Sequence, residues 1–201
     1  MQGSGKLFKK IREYEASMLS KKDYLTKEFE LKDNEVLVDI NLYEGLTVID
    51  PLSWGKQSEL NGEIYEYIDN KTYIIPVKYS ITLCFHHDGI SEEEQNKIRE
   101  LIEEHYMLVL HDKKVDLGIN AIKVLGLGIV GALLLSMYFV LQVTSIQQLF
   151  MEFLSIAGTF ALWEAVDFYL LERREIQQER LNAGQIVLSH VIFSQKNQEE
   201  G

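Results

Sequence analysis

The chain has 201 residues, of which 46% are hydrophobic and 25% charged, and its net charge at neutral pH is −11. This size fits one small domain plus a membrane segment, and the acidic balance argues against a nucleic-acid partner, which would need a basic surface. The single cysteine, Cys84, excludes an internal disulfide and agrees with a cytoplasmic soluble part.

Residues 1–30 are predicted to form a basic, amphipathic helical segment. Six basic residues stand against two acidic ones within residues 1–22, and Leu7, Ile11, Tyr14 and Met18 recur beside them at helical spacing. Such a helix lies on anionic lipid headgroups, or it packs on its own domain with a solvated basic face. Both interpretations stay open.

Residues 31–117 predict a small α+β domain with a mixed sheet. Apolar residues alternate with more polar ones over 36–42 and 77–86, as half-buried strands require, and a helix is expected over 58–70 between them. Ser91 and Glu94 have the spacing of a capping box, which opens a further helix. We expect that helix to run toward the membrane with a break near Gly118.

Residues 118–171 predict a transmembrane helical hairpin with spans at about 122–142 and 146–167. The run Val124–Leu141 contains no charge and is long enough nearly to cross a hydrocarbon core of about 30 Å. The second run carries acidic residues, but its apolar residues offset the cost of burying them. A buried hairpin in a soluble protein is the alternative.

Basic residues flank the hairpin on its outer sides, at positions 113, 114 and 123 before it and 173, 174 and 180 after it. The polar break Gln142–Gln148 between the spans has no charge. By the positive-inside rule, both termini are expected to lie in the cytoplasm and only the short turn on the far side.

A turn near residues 144 and 145 sets a register in which small residues of the two spans face each other. The pairs expected to pack the hairpin are Gly128 with Ala161, Gly131 with Gly158, and Ala132 with Ala157. The same register predicts an ion pair of Lys123 with Glu164 and Asp167. Glu152 has no basic partner at its expected depth in the membrane. Either it is protonated or reaches the membrane–water interface, or it lines an interface between copies of the chain or a polar path.

Residues 172–201 are predicted to return to the cytoplasm as a charged helix that ends at 182–184, followed by a strand over 185–194. That stretch is apolar on both faces, which suits a central strand of the same sheet. The predicted fold class is therefore α+β: a small cytoplasmic mixed-sheet domain interrupted by a two-helix transmembrane hairpin, with the C-terminal strand returning to the sheet.

We find no phosphate loop, dinucleotide fingerprint, nucleophile elbow or zinc-protease motif, so no catalytic residue and no cofactor are predicted. Cys84 and His86 share a face of their strand, but two ligands are too few for a zinc site, and no metal site is predicted. Scattered acids such as Asp39, Asp50 and Glu59 are interpreted as a solvated face.

The stretch IAGTFALWEAVDFYLLERRE, with Trp163-Glu164 and Asp167 at the edge of the second span, resembles a group of uncharacterised bacterial two-span inner-membrane proteins. Those proteins often carry proline two residues after the tryptophan, where Ala165 stands here. The resemblance covers the last 50 residues best. It implies a location in the bacterial inner membrane and supplies no activity.

These features predict a membrane-anchored, non-enzymatic cytoplasmic binding or scaffold module whose partners are the lipid bilayer and a cytoplasmic protein or ligand. The alternative is an oligomeric pore or membrane-perturbing effector gated by the cytoplasmic domain, which requires a homo-oligomer because two helices cannot enclose a water path. An enzyme that acts at the membrane surface is a third hypothesis.

Overall fold

A computed structural model describes residues 21–32, 34–43, 45–142 and 148–195. Most of the predicted basic segment, residues 1–20, and most of the predicted turn, residues 143–147, lie outside this part of the chain. The described residues form an α+β structure that divides into two compact units. The first comprises the chain up to Leu101 together with the chain from Leu188 onward, and the second comprises Ile102–Val187.

The four strands of the sheet all belong to the first unit. The strands are β1 (Glu30–Lys32), β2 (Glu35–Asn41), β3 (Ser80–His87) and β4 (His190–Gln195). The helices are α1 (Lys21–Glu28), α2 (Gly62–Thr72), α3 (Glu92–Leu141), α4 (Gln148–Asp167) and α5 (Arg173–Val187), with a short 3₁₀ helix at Gly55–Gln57 and a π-helical turn at Phe168–Glu172.

The sheet has the strand order β1-β2-β3-β4, with β1 antiparallel to β2 and the other two pairs parallel. The C-terminal strand pairs only with β3 among the described strands and therefore forms an edge. Its prediction as a central strand is therefore wrong, and the edge position leaves its apolar Ile192 45% exposed. The central position belongs to β3, where Ile81–Phe85 are buried on both faces.

The two faces of the sheet differ, and the difference follows from strand register. Val38, Leu83 and Val191 occupy matching positions on one face, together with the stacked rings of Phe85 and Phe193, whose centroids lie 5.4 Å apart. The guanidinium of Arg99 on α3 lies 4.8 Å from the Phe193 ring, so α3 covers this face. Tyr65 of α2 donates a hydrogen bond to the Leu101 carbonyl at 3.3 Å, which places α2 beside the same stretch of α3.

The boundaries of two early elements differ from those expected. Helix α2 begins at Gly62 because Asn61 caps it, with its side chain accepting a hydrogen bond from the Glu63 amide at 3.0 Å. Strand β3 begins at Ser80 because residues 76–79 form a turn in which the Tyr79 amide donates to the Pro76 carbonyl.

The capping box at the start of α3 is present. The Ser91 amide donates to Glu94 Oε2 at 2.9 Å, and the Glu94 amide donates to Ser91 Oγ at 3.3 Å. These hydrogen bonds to Ser91 lower the pKa of Glu94 below its ordinary value. The helix then runs 50 residues without the expected break at Gly118.

Helix α5 does not end at residues 182–184 as expected. It continues to Val187, and Gly184 lies inside it, where a Cβ atom would be in ordinary contact with Leu110 Cδ1 at 3.6 Å. Leu110 of α3 thus packs against this position within the second unit. The predicted strand over 185–194 is accordingly shortened to His190–Gln195.

Candidate functional site

Within the second unit, α3 and α4 run antiparallel and pack through a seam of small side chains. The buried residues of α4 alternate at spacings of three and four, which places them on one face of the helix: Met151, Leu154, Gly158, Ala161 and Ala165. Gly131 is buried on the facing surface of α3. This seam lies within the region predicted to cross the membrane.

Gly131 and Gly158 mark the closest approach of the two helices. A Cβ atom at Gly131 would lie 2.7 Å from Leu162 Cγ and 3.0 Å from the Gly158 carbonyl oxygen. A Cβ atom at Gly158 would lie 2.9 Å from Leu135 Cγ and 3.1 Å from the Leu135 amide nitrogen. The helices approach this closely only because both positions lack a side chain, as small-residue contacts in membranes require.

The other predicted packing residues contribute unequally. Ala161 is buried, Gly128 and Ala157 are half-buried, and Ala132 is exposed. A Cβ atom at Gly128 would have no neighbour within 4 Å. The tight part of the seam is therefore confined to the region around Gly131 and Gly158.

A polar cluster, defined here as Asn120, Lys123, Phe168 and Glu172, joins the ends of the two helices that carry the basic flanks. The Asn120 side chain is buried, and its Nδ2 donates to the Phe168 carbonyl at 3.1 Å. That carbonyl belongs to the π-helical turn, where it also accepts from the Arg173 amide. Such turns insert one extra residue into a helix and are frequent at functional sites.

Lys123 does not pair with Glu164 or Asp167, as the register had predicted. Its Nζ lies 3.2 Å from Glu172 Oε1 and 5.2 Å from the centre of the Phe168 ring. The long lysine side chain extends along the helices toward their polar end. Sequence periodicity does not reveal the π-helical turn at Phe168–Glu172. This turn rotates the residues that follow it around the helix axis, and Glu172 thereby comes within reach of Lys123.

Two buried acceptors in the polar cluster, Asn120 Oδ1 and Glu172 Oε2, have no hydrogen-bond partner among the described residues. A buried polar atom without a partner costs about 1–3 kcal/mol. Both atoms can accept a hydrogen bond from a donor that reaches this end of the helix pair.

We expect Lys123→Glu to weaken the helix pair by about 0.5–1 kcal/mol, because it places like charges together at a partly exposed site. Adding Glu172→Lys should restore most of this loss. Adding Glu164→Lys in its place is the matched control and should restore none. The free energy of unfolding in mixed micelles measures each variant, and rescue by Glu164→Lys alone would contradict the observed pairing.

Glu152 lies at the opposite end of the hairpin. Its Oε1 accepts from Gln148 Nε2 at 3.2 Å, and it lines an open cleft with Tyr138, Gln142 and Ser155. Gln142 and Gln148, the two ends of the predicted polar break, both line this cleft. Glu152 thus has several hydrogen-bonding side chains near it at the end of the apolar run.

A second ion pair joins α3 to α5 beyond the apolar run. Lys113 Nζ lies 2.5 Å from Glu179 Oε2 and 3.8 Å from Asp116 Oδ2. The hydrogen bond with Glu179 is the largest cause that raises the pKa of Lys113. A raised lysine pKa stabilises the fold below the ordinary value of about 10.4, and this contribution disappears only as pH rises through the folded pKa. Lys113 therefore stays protonated throughout the neutral range.

The open face of the sheet is the face opposite Phe85 and Phe193, and it carries two pairs of a histidine with an acid. His86 Nε2 lies 2.7 Å from Asp39 Oδ1. In the second pair, His190 Nδ1 lies 3.8 Å from Glu35 Oε1, and this oxygen also accepts a hydrogen bond from the Thr82 hydroxyl. The side chains of these histidines and acids are 34–77% exposed, so solvent reaches this face.

Cys84 lies between the two pairs on β3. It is buried, and this burial raises the pKa of the Cys84 thiol, with the negative charge of Asp39 adding to the effect. Asp39, Cys84 and His86 form one group whose ligand atoms all lie within 4.8 Å of one another. His87 points to the covered face instead, where its Nδ1 accepts from the amides of Gly89 and Ile90.

Asp39 is the residue of this group that sequence reasoning had placed on a solvated face. It comes 45 positions before Cys84 in the chain, and only the parallel register of β2 and β3 sets the two side by side. No motif in the sequence marks that register. No family model, curated protein or solved structure matches this chain.

Proposed function

We propose that this chain is a membrane-anchored, non-enzymatic binding module. The hairpin of α3 and α4 holds the α+β domain at the cytoplasmic face of a bacterial inner membrane, where the domain binds a protein or ligand. The basic residues at positions 113, 114, 123, 173, 174 and 180 support this orientation, because positive charge favours the cytoplasmic side.

The observation that carries the proposal is the exposed apolar surface of the two long helices. Only 6% of an apolar 18-residue segment of α3 is buried. In the continuous helix Gln148–Val187, which contains α4, the π-helical turn and α5, 28% of the corresponding segment is buried. Leu125, Leu133 and Val140 are 64–71% exposed. Apolar patches of this extent are rare on soluble monomers, whereas lipid tails cover them without cost.

Cysteine labelling tests the membrane topology. In a Cys84→Ser background, Ser145→Cys places a thiol in the predicted turn and Glu175→Cys places one in α5. A membrane-impermeant maleimide should label position 145 in intact spheroplasts and position 175 only after lysis. Labelling of position 175 in intact spheroplasts would overturn the orientation.

An oligomeric pore is the second candidate function. The polar cleft at Glu152 and the exposed Ala132 favour it, because each offers a surface to another copy of the chain. The mass of the particle in lipid nanodiscs separates the two functions. A monomer or dimer supports the anchored module, since it has too few helices to enclose a water path. A uniform tetramer or larger ring, with ion flux reduced by Glu152→Gln, supports the pore.

A further inference from the structure

Residues from two neighbouring strands converge on one point of the open face. Cys84 is paired with Asp39 across the parallel register of β2 and β3, and His86 follows Cys84 by two positions. Residues two apart on a strand share a face, and residues paired across a ladder share it as well. The three side chains therefore project from the same side of the sheet.

We propose that Asp39, Cys84 and His86 bind a divalent transition-metal ion of the zinc class. Their ligand atoms, a carboxylate oxygen, a sulfur and an imidazole nitrogen, all lie within 4.8 Å of one another. Zinc bonds of about 2.0–2.3 Å set neighbouring tetrahedral ligands about 3.3–3.8 Å apart. Small side-chain rotations reach that spacing from the present one.

The ligand set selects the class of metal. Thiolate and imidazole favour zinc and similar borderline ions, whereas magnesium and calcium prefer sites made of oxygen alone. The ion takes the place of the hydrogen bond between Asp39 Oδ1 and His86 Nε2, now 2.7 Å long, and the thiol proton passes to solvent. The positive charge of the ion then neutralises the Asp39 carboxylate and the Cys84 thiolate.

The position on the sheet allows an ion to enter. Helix α3 packs on the opposite face through Arg99, and the side chains of Asp39 and His86 are 54% and 34% exposed. Cys84 itself is buried. An ion therefore reaches the Asp39 carboxylate and the His86 imidazole first, and we expect water or a partner group to fill the fourth coordination position. Three protein ligands with one open position are the arrangement of an exchangeable or reactive zinc site, in contrast to the closed four-ligand structural sites.

This inference rests on the sheet register and does not depend on the membrane topology, so the two fail separately. The experiment titrates Co²⁺ into the full-length chain in detergent micelles, with any affinity tag removed and residual metal stripped by a chelator. We expect one Co²⁺ per chain, a thiolate-to-cobalt charge-transfer band in the near ultraviolet, and displacement of Co²⁺ by Zn²⁺.

Variants then assign the ligands. Asp39→Asn, Cys84→Ser and His86→Ala should each weaken binding at least about tenfold, as even outer-shell changes do at metal sites. His190→Ala removes a histidine from the same face outside the group and is the matched control, with unchanged affinity. Near-ultraviolet circular dichroism identifies any variant that has lost its fold, and Asp39→Asn changes a largely exposed, isosteric side chain.

The cobalt titration of these variants has two possible outcomes. Binding with the charge-transfer band, lost in Asp39→Asn and Cys84→Ser and kept in His190→Ala, supports the site. Absence of the band, or equal loss of affinity in His190→Ala, overturns it and leaves His86 and Asp39 as a hydrogen-bonded pair of the sheet surface.

Discussion

Removing strand β4 by ending the chain after Val187 is expected to unfold the sheet domain while leaving α3, α4 and α5 complete in sequence. The cut removes six residues paired with β3, the Phe193 ring stacked on Phe85, and the Val191 carbonyl that accepts from Arg99 Nε at 3.2 Å. The stacked ring pair alone contributes about 0.5–1.5 kcal/mol beyond its buried area. Together these losses approach the total stability of a small domain, about 5–15 kcal/mol.

The truncation also converts the buried strand β3 into a sheet edge. Its free amide and carbonyl groups then favour pairing with other chains, so aggregation is expected. Hydrogen exchange measures the effect directly, since the β3 amides should lose their protection. A chain ending after Gln195 is the matched control and should keep that protection. Full protection of β3 in the shorter chain would contradict the role of β4.

Gly131→Val is expected to destabilise the helix pair by about 1–3 kcal/mol, the usual cost of overpacking a filled site. Its Cβ atom would meet Leu162 at 2.7 Å and the Gly158 carbonyl at 3.0 Å. The leucine side chain can rotate away, but the carbonyl belongs to the backbone, so the two helices must shift apart by a few tenths of an ångström. Separation then loosens the contacts along the whole seam.

Gly128→Val provides the control on the same helix. A Cβ atom there has no neighbour within 4 Å, so the substitution should leave the free energy of unfolding within about 0.5 kcal/mol. Unfolding in mixed micelles with rising detergent denaturant compares the two variants. Equal effects at both positions would mean that Gly131 is not at the closest approach.

The two polar features of the second unit have different structural settings. Lys123 and Glu172 join the helices at the end that carries the basic flanks, whereas Glu152 lies in an open cleft at the other end. Both helices are long and apolar enough to cross a membrane, and polar contacts at both ends of the apolar run agree with such a placement. The close approach at Gly131 lies between these two polar ends.

Local sequence patterns indicated the type and approximate position of several helices and strands of this protein. The charge-free run Val124–Leu141 indicated a long apolar helix, and the 50-residue α3 contains it. The capping box at Ser91 and the alternation along β2 indicated where elements begin and which face they bury. These signals are local, since they depend on residues within one turn of helix or a few strand positions.

Tertiary contacts decided the features that local patterns could not carry. The C-terminal strand is apolar on both faces but lies at the edge, because β3 already occupies the centre of the sheet. Gly184 had the appearance of a helix end, yet Leu110 packs against it and the helix continues. Each outcome depends on a neighbour that is distant in sequence.

The same distinction separates the two candidate sites. Facing glycines in the hairpin follow from counting residues outward from a short turn, so the sequence by itself pointed to Gly131 and Gly158. The pairing of Lys123 with Glu172 depends on a π-helical turn, and the group of Asp39 with Cys84 and His86 depends on the register of two strands. Register and helical irregularity are set by the packing of the whole chain, because only the assembled structure determines which of several nearly equivalent alignments buries the apolar residues.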